Sequence, residues 1–345
     1  MKYLNLKILI FTFLINSIIY AKQNAYIDNW EFESRENINR VYEDSLKLIS
    51  STLLEDYNLY EIGPLEIDSE GNLIFFDFSN TFRIAYVPDG DLDEMLFFGN
   101  GKGKGPSEFG KPFDLKFDDD GSIWLADVEN YKIQKWSSKG DLIFEFKTPK
   151  YVRPSKIDYD EKTKEIIILS EQYTPSGVLY VFDENGDLKN AFQKPIEKET
   201  RSVLYFESEI VSTGSDFILA GAVKPFLRYY SNDGNLIYSK GIVGFENPEK
   251  ILSREGRVTS RNKDLVRAVV DLQYSNGIVY AGISNKKNER WIRFLDKYKP
   301  NNGEYIASLE LKLPAKYFAI SENKLFVIEY NWNDEKTYLS EYLFE

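Results

Sequence analysis

The sequence of 345 residues contains no histidine and no cysteine, and only two methionines. Without histidine and cysteine, the usual ligand sets for zinc cannot form. A Ser-His-Asp triad or a Cys-His pair for nucleophilic catalysis is excluded for the same reason. The absence of cysteine also excludes disulfides and the acylated cysteine of a bacterial lipoprotein. Chemistry based on carboxylates remains open.

Basic residues are fewer than acidic ones. Asp and Glu number 55 against 43 Lys and Arg, which gives a formal net charge of −12. Because an acidic protein repels phosphate backbones, we expect no nucleic-acid partner. Aromatic residues make up 15% of the chain, with 24 Tyr and 24 Phe, and such residues suit half-buried strands. The composition therefore favours a β fold.

The first 21 residues have the features of a secretory signal peptide. Lys2 and Lys7 precede an apolar run over residues 8–19, and Ala21 offers a small residue for cleavage. The run is shorter than the roughly 20 apolar residues of a transmembrane helix. We therefore expect an exported protein of a Gram-negative bacterium, periplasmic or secreted, with no lipid anchor and no stable membrane span.

A repeated segment determines the predicted fold. Residues 68–77 (DSEGNLIFFD) and 118–127 (DDDGSIWLAD) match, and Gly71 and Gly121 in their turns are 50 residues apart. Asp and Gly favour tight turns because Asp bonds its own backbone and Gly tolerates positive φ. Similar strands begin at four further positions, which are Ile166, Phe217, Ile278 and Leu325. Six copies at this period indicate a propeller.

A second hairpin follows in most copies and turns at a glycine, as in residues 132–140 and 178–186. Two hairpins make a four-stranded antiparallel blade. The last copy lacks a fourth strand, so residues 45–54 are expected to close the ring. The sequence predicts an all-β, six-bladed β-propeller as a single domain of residues 22–345. The predicted blade cores are 64–110, 111–150, 154–195, 203–243, 266–313, and 314–345 together with 45–54. Residues 244–265 are the largest insertion.

The second copy resembles the NHL repeat. The residues that carry the resemblance are Asp127, Asn130, Lys132, Ile133 and Trp136, and in the first copy Asp77, Asn80, Arg83 and Ile84. The loop over residues 99–109 (GNGKGKGPSEF) resembles that of exported six-bladed propellers of Bacteroidota, which are related to NHL and TolB-like propellers. The resemblance spans residues 64–146 and implies a fold rather than an activity. Later copies lose the Asp, with Gly221 and Gly282 in its place and Glu329 as the nearest match.

Asp77 and Asp127 end the second strands of their copies. We expect these carboxylates, together with Asn80 and Asn130, to fix the following turn by accepting backbone N–H bonds. The alternative is a ligand held in the central channel or on one face of the propeller. Trp124 and Trp136 fall in strands and are expected in the core. Trp291 and Trp332 are not placed by the repeat, and they could form an aromatic platform for a sugar or a peptide.

The glycine-rich loop over residues 99–105 carries Lys102 and Lys104. A phosphate cradle is conceivable there, since successive N–H groups and lysines hold anions. The loop lacks the P-loop pattern, so we interpret it as the connection between the first two blades, anchored by Glu108 and Phe109. The candidate ligand-binding residues are Arg83, Lys102, Lys104, Glu108 and Lys132.

The predicted function is that of a non-catalytic binding or scaffold propeller, a monomer with a protein, peptide or glycan ligand. No catalytic residue and no metal-ligand set is predicted. The alternative is a calcium-dependent hydrolase or lactonase that uses carboxylates of the central channel, because calcium prefers oxygen ligands. The three consecutive aspartates at residues 118–120 are interpreted as a turn. An acidic channel would favour the enzyme, and a broad aromatic or charged face would favour binding.

Overall fold

The computed structural model describes residues 33–43, 46–79, 82–174, 177–192, 208–214, 216–222, 225–245, 267–284 and 290–344. The predicted signal peptide over residues 1–21, Asn80 and nearly all of the predicted insertion lie outside these ranges. Among the helices within them, which are short 3-10 turns, none is long or apolar enough to cross a membrane.

Four antiparallel sheets have four strands each, in chain order from the inner to the outer strand. They are β2–β5 (Ile62–Ile67, Leu73–Asp77, Arg83–Val87, Leu96–Phe98), β6–β9 (Pro112–Phe117, Ile123–Asp127, Lys132–Trp136, Leu142–Lys147), β10–β13 (Pro154–Asp160, Glu165–Thr174, Gly177–Asp183, Leu188–Phe192) and β14–β17 (Ser208–Ser212, Asp216–Gly221, Phe226–Ser231, Leu236–Gly241). The second strands are buried on both faces, as their continuous apolar runs predict. The outer strand β9 alternates half-buried and exposed residues.

A fifth sheet has seven strands in the order β1-β23-β22-β21-β20-β19-β18. Its strands are β1 (Leu46–Leu53), β18 (Val269–Ser275), β19 (Ile278–Ile283), β20 (Ile292–Tyr298), β21 (Tyr305–Ser321), β22 (Lys324–Asn331) and β23 (Lys336–Phe344). The 17-residue strand β21 serves two units, because its first half pairs with β20 and its second half with β22. The chain stays extended through the predicted boundary between residues 313 and 314, since the residue before Pro314 is restricted to an extended conformation.

The N-terminal strand closes the ring. β1 pairs antiparallel with β23, from Leu46 opposite Phe344 to Leu53 opposite Tyr338. The inner strands β2, β6, β10, β14 and β18 and the second half of β21 each contact the next, and β21 returns to β2. Six four-stranded units therefore surround one central channel. The predicted fold class, an all-β propeller whose last blade is completed by an N-terminal strand, is confirmed.

The two ends of the ring carry different connections, because neighbouring strands in each sheet are antiparallel. We call one end of the ring the turn face. It carries the connections between the first and second strands of each blade and those between the third and fourth strands, such as residues 68–72, 118–122 and 137–141. The loop face is the opposite end, with the remaining connections, such as residues 54–61, 99–111, 128–131, 148–153 and 332–335. All five candidate ligand-binding residues lie at or near the loop face.

Neighbouring blades pack together through a contact repeated on the turn face. Gly140 adopts φ +88, and a Cβ added there would lie 2.5 Å from the ring of Phe98 on the preceding blade. Gly186 meets Phe146 in the same way at 2.6 Å, and Gly234 meets Phe192 at 2.8 Å. Each glycine is thus required both by its backbone conformation and by the aromatic side chain of the neighbouring outer strand.

A segment that the repeat does not include crosses the rim of the ring. Residues 33–43 form isolated bridges to the outer strands β17 and β21. The Arg40 guanidinium bonds both oxygens of Asp296, at 3.0 Å each from its Nε and Nη2, and donates to the carbonyl of Val243 at 2.7 Å. Asp296 is fully buried. Because a buried carboxylate needs such a partner, this contact fastens the chain to the rim just before it enters β1.

Candidate functional site

The glycine-rich loop between β5 and β6 is closed on itself by backbone hydrogen bonds. The N–H of Asn100 donates to the carbonyl of Ser107 at 2.7 Å, and the N–H of Gly103 donates to that of Phe109 at 2.9 Å. The Phe109 ring is fully buried and lies 5.1 Å from the ring of Phe76 and 5.7 Å from that of Trp136. The loop is therefore anchored in the core between the first two blades.

The anion that this loop surrounds belongs to the chain itself. The N–H of Gly105 donates to Glu108 Oε2 at 2.7 Å. A Cβ added to Gly103 would lie 2.0 Å from the same oxygen, so the carboxylate rests directly against the backbone. An external phosphate would have to displace Glu108 from this position. The glycine spacing thus has a structural explanation that the sequence did not supply.

Asp127 links this loop to the next turn. Its carboxylate accepts the N–H groups of Gly110 at 2.7 Å and Lys111 at 2.9 Å. It also accepts both the backbone N–H of Asn130 at 3.2 Å and the side-chain Nδ2 at 2.8 Å. The same Nδ2 donates to the carbonyl of Gly103 at 2.8 Å. These are the contacts of a carboxylate that fixes backbone turns.

Polar acceptors occupy the equivalent position in other blades. Asp77 accepts the N–H of Ser79 at 2.9 Å and Arg83 Nε at 2.8 Å. Ser170 accepts the N–H groups of Arg153 and Gln172, at 3.1 and 3.2 Å. Glu329 accepts a hydrogen bond from the hydroxyl of Tyr342 at 2.8 Å. A hydroxyl or a longer carboxylate thus takes the place of the Asp in two blades, whereas Gly221 and Gly282 offer no side-chain acceptor at this position.

The five candidate ligand-binding residues differ in how much their own contacts occupy them. Arg83 is paired with Asp77, and its guanidinium lies 3.3 Å from the centre of the Phe97 ring. Lys132 is buried, with Nζ 3.2 Å from both the Gly105 carbonyl and Glu145 Oε2. Glu108 fills the loop, as described above. Lys102 and Lys104 are exposed and are the most accessible of the five.

A recess of about 230 Å³ brings two of these residues together on the loop face of the second blade. Lys104 and Lys132 line it with a third lysine, two glutamates, an asparagine and a phenylalanine, which are Lys147, Glu129, Glu145, Asn130 and Phe146. The recess is polar and shallow, and it has room for a small charged or hydrogen-bonding group.

The central channel is lined by charged side chains of the inner strands. Lys116 Nζ lies 2.9 Å from Glu66 and 3.6 Å from Asp158. Gln273 Nε2 donates to Glu66 Oε1 at 2.9 Å, and since these two residues come from non-neighbouring blades, this bond crosses the channel. A second group has Lys156 2.5 Å from Glu209, with Asp114 and Asp271 close enough to interact electrostatically with the lysine.

Among the described residues named above, carboxylates in the channel outnumber lysines by five to two. Burial raises the pKa of Glu66, Glu209 and Asp271 to about 7, although the neighbouring lysines act to lower it. Burial alone would lower the pKa of Lys156, but the carboxylates around it raise that pKa above its usual range. The lysines therefore stay charged, and some carboxyl groups keep their protons near neutral pH.

In the ranges that the structure describes, no three Asp or Glu side chains are placed to hold a metal ion. Asp118, in the run of three aspartates, accepts the N–H groups of Asp120 and Ser122 and lies 2.7 Å from Lys135 Nζ. Its contacts are those of a turn completed by a lysine.

Exposed aromatic rings distinguish the two faces. Tyr60, Tyr131, Tyr151 and Trp332 are 59%, 36%, 59% and 56% exposed, and all four lie in connections of the loop face. Within the described ranges, the connections of the turn face expose no large hydrophobic side chain. Single exposed rings are common on proteins, but their restriction to one face marks that face as the candidate binding surface.

Comparison with solved structures finds other β-propellers. A protein of Bacteroides fragilis that is considered to be exported matches with a TM-score of 0.62 and 12% identity, over 91% of this chain and 99% of that chain. A catalytically inactive histidine-to-alanine variant of virginiamycin B lyase from Staphylococcus aureus, with quinupristin, matches with a TM-score of 0.52 and 11% identity. The match covers 82% of this chain and 80% of that chain. The propeller domain of Cps50 (Swd1) from Myceliophteria thermophila matches with a TM-score of 0.50 and 11% identity, over 87% of this chain and 100% of that chain.

At these identities the comparisons show the fold alone. No family model matches the sequence, and no curated protein matches it significantly. The neighbours include both enzymes and a protein considered to be exported, as expected for a fold that carries many activities.

Proposed function

We propose that the chain is a non-catalytic binding propeller whose loop face holds a protein, peptide or glycan. The observation that carries this proposal is the restriction of exposed aromatic rings in strand connections to the loop face, where the accessible Lys102 and Lys104 also lie. Aromatic rings supply large contact areas at little cost in side-chain entropy, and binding surfaces are enriched in them.

The absence of histidine supports a role without catalysis. Among the neighbours, the virginiamycin B lyase variant that has lost a histidine is catalytically inactive. This chain contains no histidine in any position, so it does not have the side chain whose loss inactivates that enzyme. The charged groups of the channel are, in addition, engaged with one another or with backbone N–H groups.

We further propose the setting in which this binding takes place. The sequence of residues 1–21 supports export to the periplasm or the exterior of a Gram-negative bacterium, and the exported neighbour has the same fold. The closed ring supports one domain over residues 22–345 that acts as a monomer, and the net charge of −12 opposes nucleic-acid binding. Kinship with NHL and TolB-like propellers of Bacteroidota rests on residues 64–146.

A second candidate function is supported by the channel. Five carboxylates converge there, and three of them have a pKa of about 7, as general acids and bases require. A calcium-dependent hydrolase or lactonase would use such groups. Lys116 and Lys156 stand among the carboxylates and would oppose a divalent cation, so we place this function second.

Thermal unfolding of the chain without residues 1–21 tests both functions. Calcium and then excess EDTA are added first, followed by soluble polysaccharides, peptide pools and purified envelope proteins. A ligand at 100 times its Kd adds about 2.7 kcal/mol, which raises the Tm by a few degrees in a domain of this size. The binding propeller predicts such a rise with a macromolecular ligand and no response to EDTA.

Matched charge reversals locate the site. Lys104→Glu on the loop face should reduce the rise in Tm for a ligand that contacts the glycine-rich loop, whereas Lys139→Glu, which changes an exposed lysine on the turn face, should leave it intact. If EDTA lowers the Tm, calcium restores it and esters or lactones are turned over, the enzyme replaces the binding propeller. If both variants respond to the ligand as the parent chain does, the glycine-rich loop is not part of the binding surface.

A further inference from the structure

Three aromatic side chains from two neighbouring blades meet on the loop face. Trp291 precedes β20, Tyr330 lies near the end of β22, and Trp332 follows that strand. The ring centres of Trp291 and Tyr330 are 5.4 Å apart, and those of Tyr330 and Trp332 are 4.7 Å apart. We call these three residues the aromatic corner. The sequence did not predict that the three rings meet, because Trp291 and Trp332 lie in connections just outside the strands β20 and β22.

The rings form two surfaces at a steep angle. Trp291 and Tyr330 are tilted by only 32° from one another, whereas Trp332 stands at 72° to Trp291 and 78° to Tyr330. Trp332 is 56% exposed, and the other two are half-buried. The corner thus offers an apolar floor and an apolar wall to a ligand. Aromatic faces carry negative electrostatic potential, which favours contact with polarised C–H groups.

Hydrogen-bonding groups border the corner. Asn331 Nδ2 donates to Asp334 Oδ2 at 3.1 Å, and Tyr338 Oη donates to the same oxygen at 2.8 Å. The N–H of Asn333 donates to Asn331 Oδ1 at 3.0 Å. These bonds hold the turn over residues 331–335 in one conformation. The turn presents amide groups, which both donate and accept hydrogen bonds, beside the rings.

We propose that the aromatic corner binds a sugar ring of a neutral glycan, an inference that rests on the proposed role of the loop face. A sugar ring has an apolar C–H face and a rim of hydroxyl groups that donate and accept hydrogen bonds. The aromatic rings of the corner match the apolar face of the sugar, and the amide groups of the turn match its hydroxyl groups. The glycan is neutral because the net charge of −12 disfavours an anionic ligand, while Arg290 and Arg293, which flank Trp291, disfavour a cationic one.

A peptide ligand fits the corner less well. Extended peptides usually add a strand to an open sheet edge or lie in a groove. Strand β22 is already paired on both sides, with β21 and with β23. The corner therefore offers rings and side-chain amides but no free strand edge.

Native electrophoresis in gels that contain a soluble polysaccharide tests the proposal. The probes are a β-glucan, a xylan, a mannan and a dextran, with casein as the polypeptide probe. The parent chain should be retarded by at least one polysaccharide, and Trp332→Ala should weaken that binding at least about tenfold. Tyr42→Ala removes a ring of similar exposure, 50% against 56%, from the rim segment outside the loop face, and it is the matched control, which should bind as the parent does.

The outcomes separate this inference from the proposed function. Retardation by a polysaccharide that Trp332→Ala leaves unchanged overturns the aromatic corner but not a binding role of the loop face. Retardation by casein alone, lost in Trp332→Ala, overturns the glycan and keeps the binding propeller. If no probe retards the chain and the ligands tested by thermal unfolding also fail, the inference and the proposed function fall together. Circular dichroism of Trp332→Ala confirms that the variant is folded.

Discussion

The turn face and the loop face end the same strands, yet they are constructed differently. On the turn face, one arrangement recurs in successive blades: a glycine with positive φ lies against an aromatic ring of the preceding blade, as Gly140 does against Phe98. On the loop face, each connection has its own length and its own contacts, such as the carboxylate of Glu108 inside its glycine-rich loop. The turn face thus repeats one packing contact, while the contacts of the loop face differ from blade to blade.

The largest expected difference between the two faces is the loss of stability when a carboxylate is removed from each. Asp127→Ala removes an acceptor of four hydrogen bonds and leaves backbone N–H groups buried without partners, so we expect a loss of about 3 kcal/mol in the free energy of unfolding. Asp68→Ala, in a turn nearer to solvent, should cost about 1 kcal/mol. Urea denaturation measures both. Equal losses would mean that the two faces do not differ in this respect.

Replacing one glycine on each face tests the same difference, with a smaller expected loss of stability. Gly103→Ala should cost about 2 kcal/mol because the new methyl group collides with Glu108. The double variant with Glu108→Ala should recover part of that loss, since Gly103 does not need positive φ. Gly140→Ala should cost at least as much, and Phe98→Ala should not rescue it, because φ +88 strains any alanine there. Rescue of Gly140→Ala, or its absence for Gly103→Ala, would contradict this account.

The channel between the two faces should respond to pH. In the folded chain Glu66, Glu209 and Asp271 have a pKa of about 7, above that of an unfolded carboxyl group. Between about pH 5 and 7 the folded state therefore holds more protons than the unfolded state, and their contribution to stability is lost as the pH rises. Glu209→Gln should reduce this loss, as measured by urea denaturation at both ends of the range. An unchanged pH dependence would show that Glu209 does not titrate there.

The smallest effects are expected at the exposed rings of the loop face. Tyr60→Ser and Tyr151→Asn should change the free energy of unfolding by no more than about 0.5 kcal/mol, because these rings are largely in solvent. Asn suits residue 151, where φ is +72. Differential scanning calorimetry checks this result. A marked fall in Tm would make the rings structural and would remove the main support for a binding face.

The positions of the strands and of the tight turns could be predicted from the sequence. Residues 68–77 and 118–127 contain an Asp-to-Gly turn followed by an apolar strand, and both form the predicted hairpins. The closing strand near residues 45–54 was readable because the last repeat lacked one strand. These features depend on neighbours a few residues apart, for which local conformational preferences suffice.

The contacts between side chains could not be predicted from the sequence, because they join residues from distant parts of the chain. Gln273 reaches Glu66 across the channel, and Arg40 reaches Asp296 at the rim. Trp291 meets Trp332 only because two blades adjoin. The candidate residues Arg83, Glu108 and Lys132 could be named from the sequence, but not the internal partners that occupy them.

The sequence by itself thus determined a repeated antiparallel blade and the exclusion of histidine and cysteine chemistry. Periodicity and turn residues act over short distances, and composition needs no structure at all. Only the tertiary structure decided which charges face each other in the channel, that Glu108 fills its own glycine-rich loop, and that the exposed aromatic rings of the strand connections share one face. Those facts depend on how the ring closes, and closure brings together residues that lie up to hundreds of positions apart in the chain.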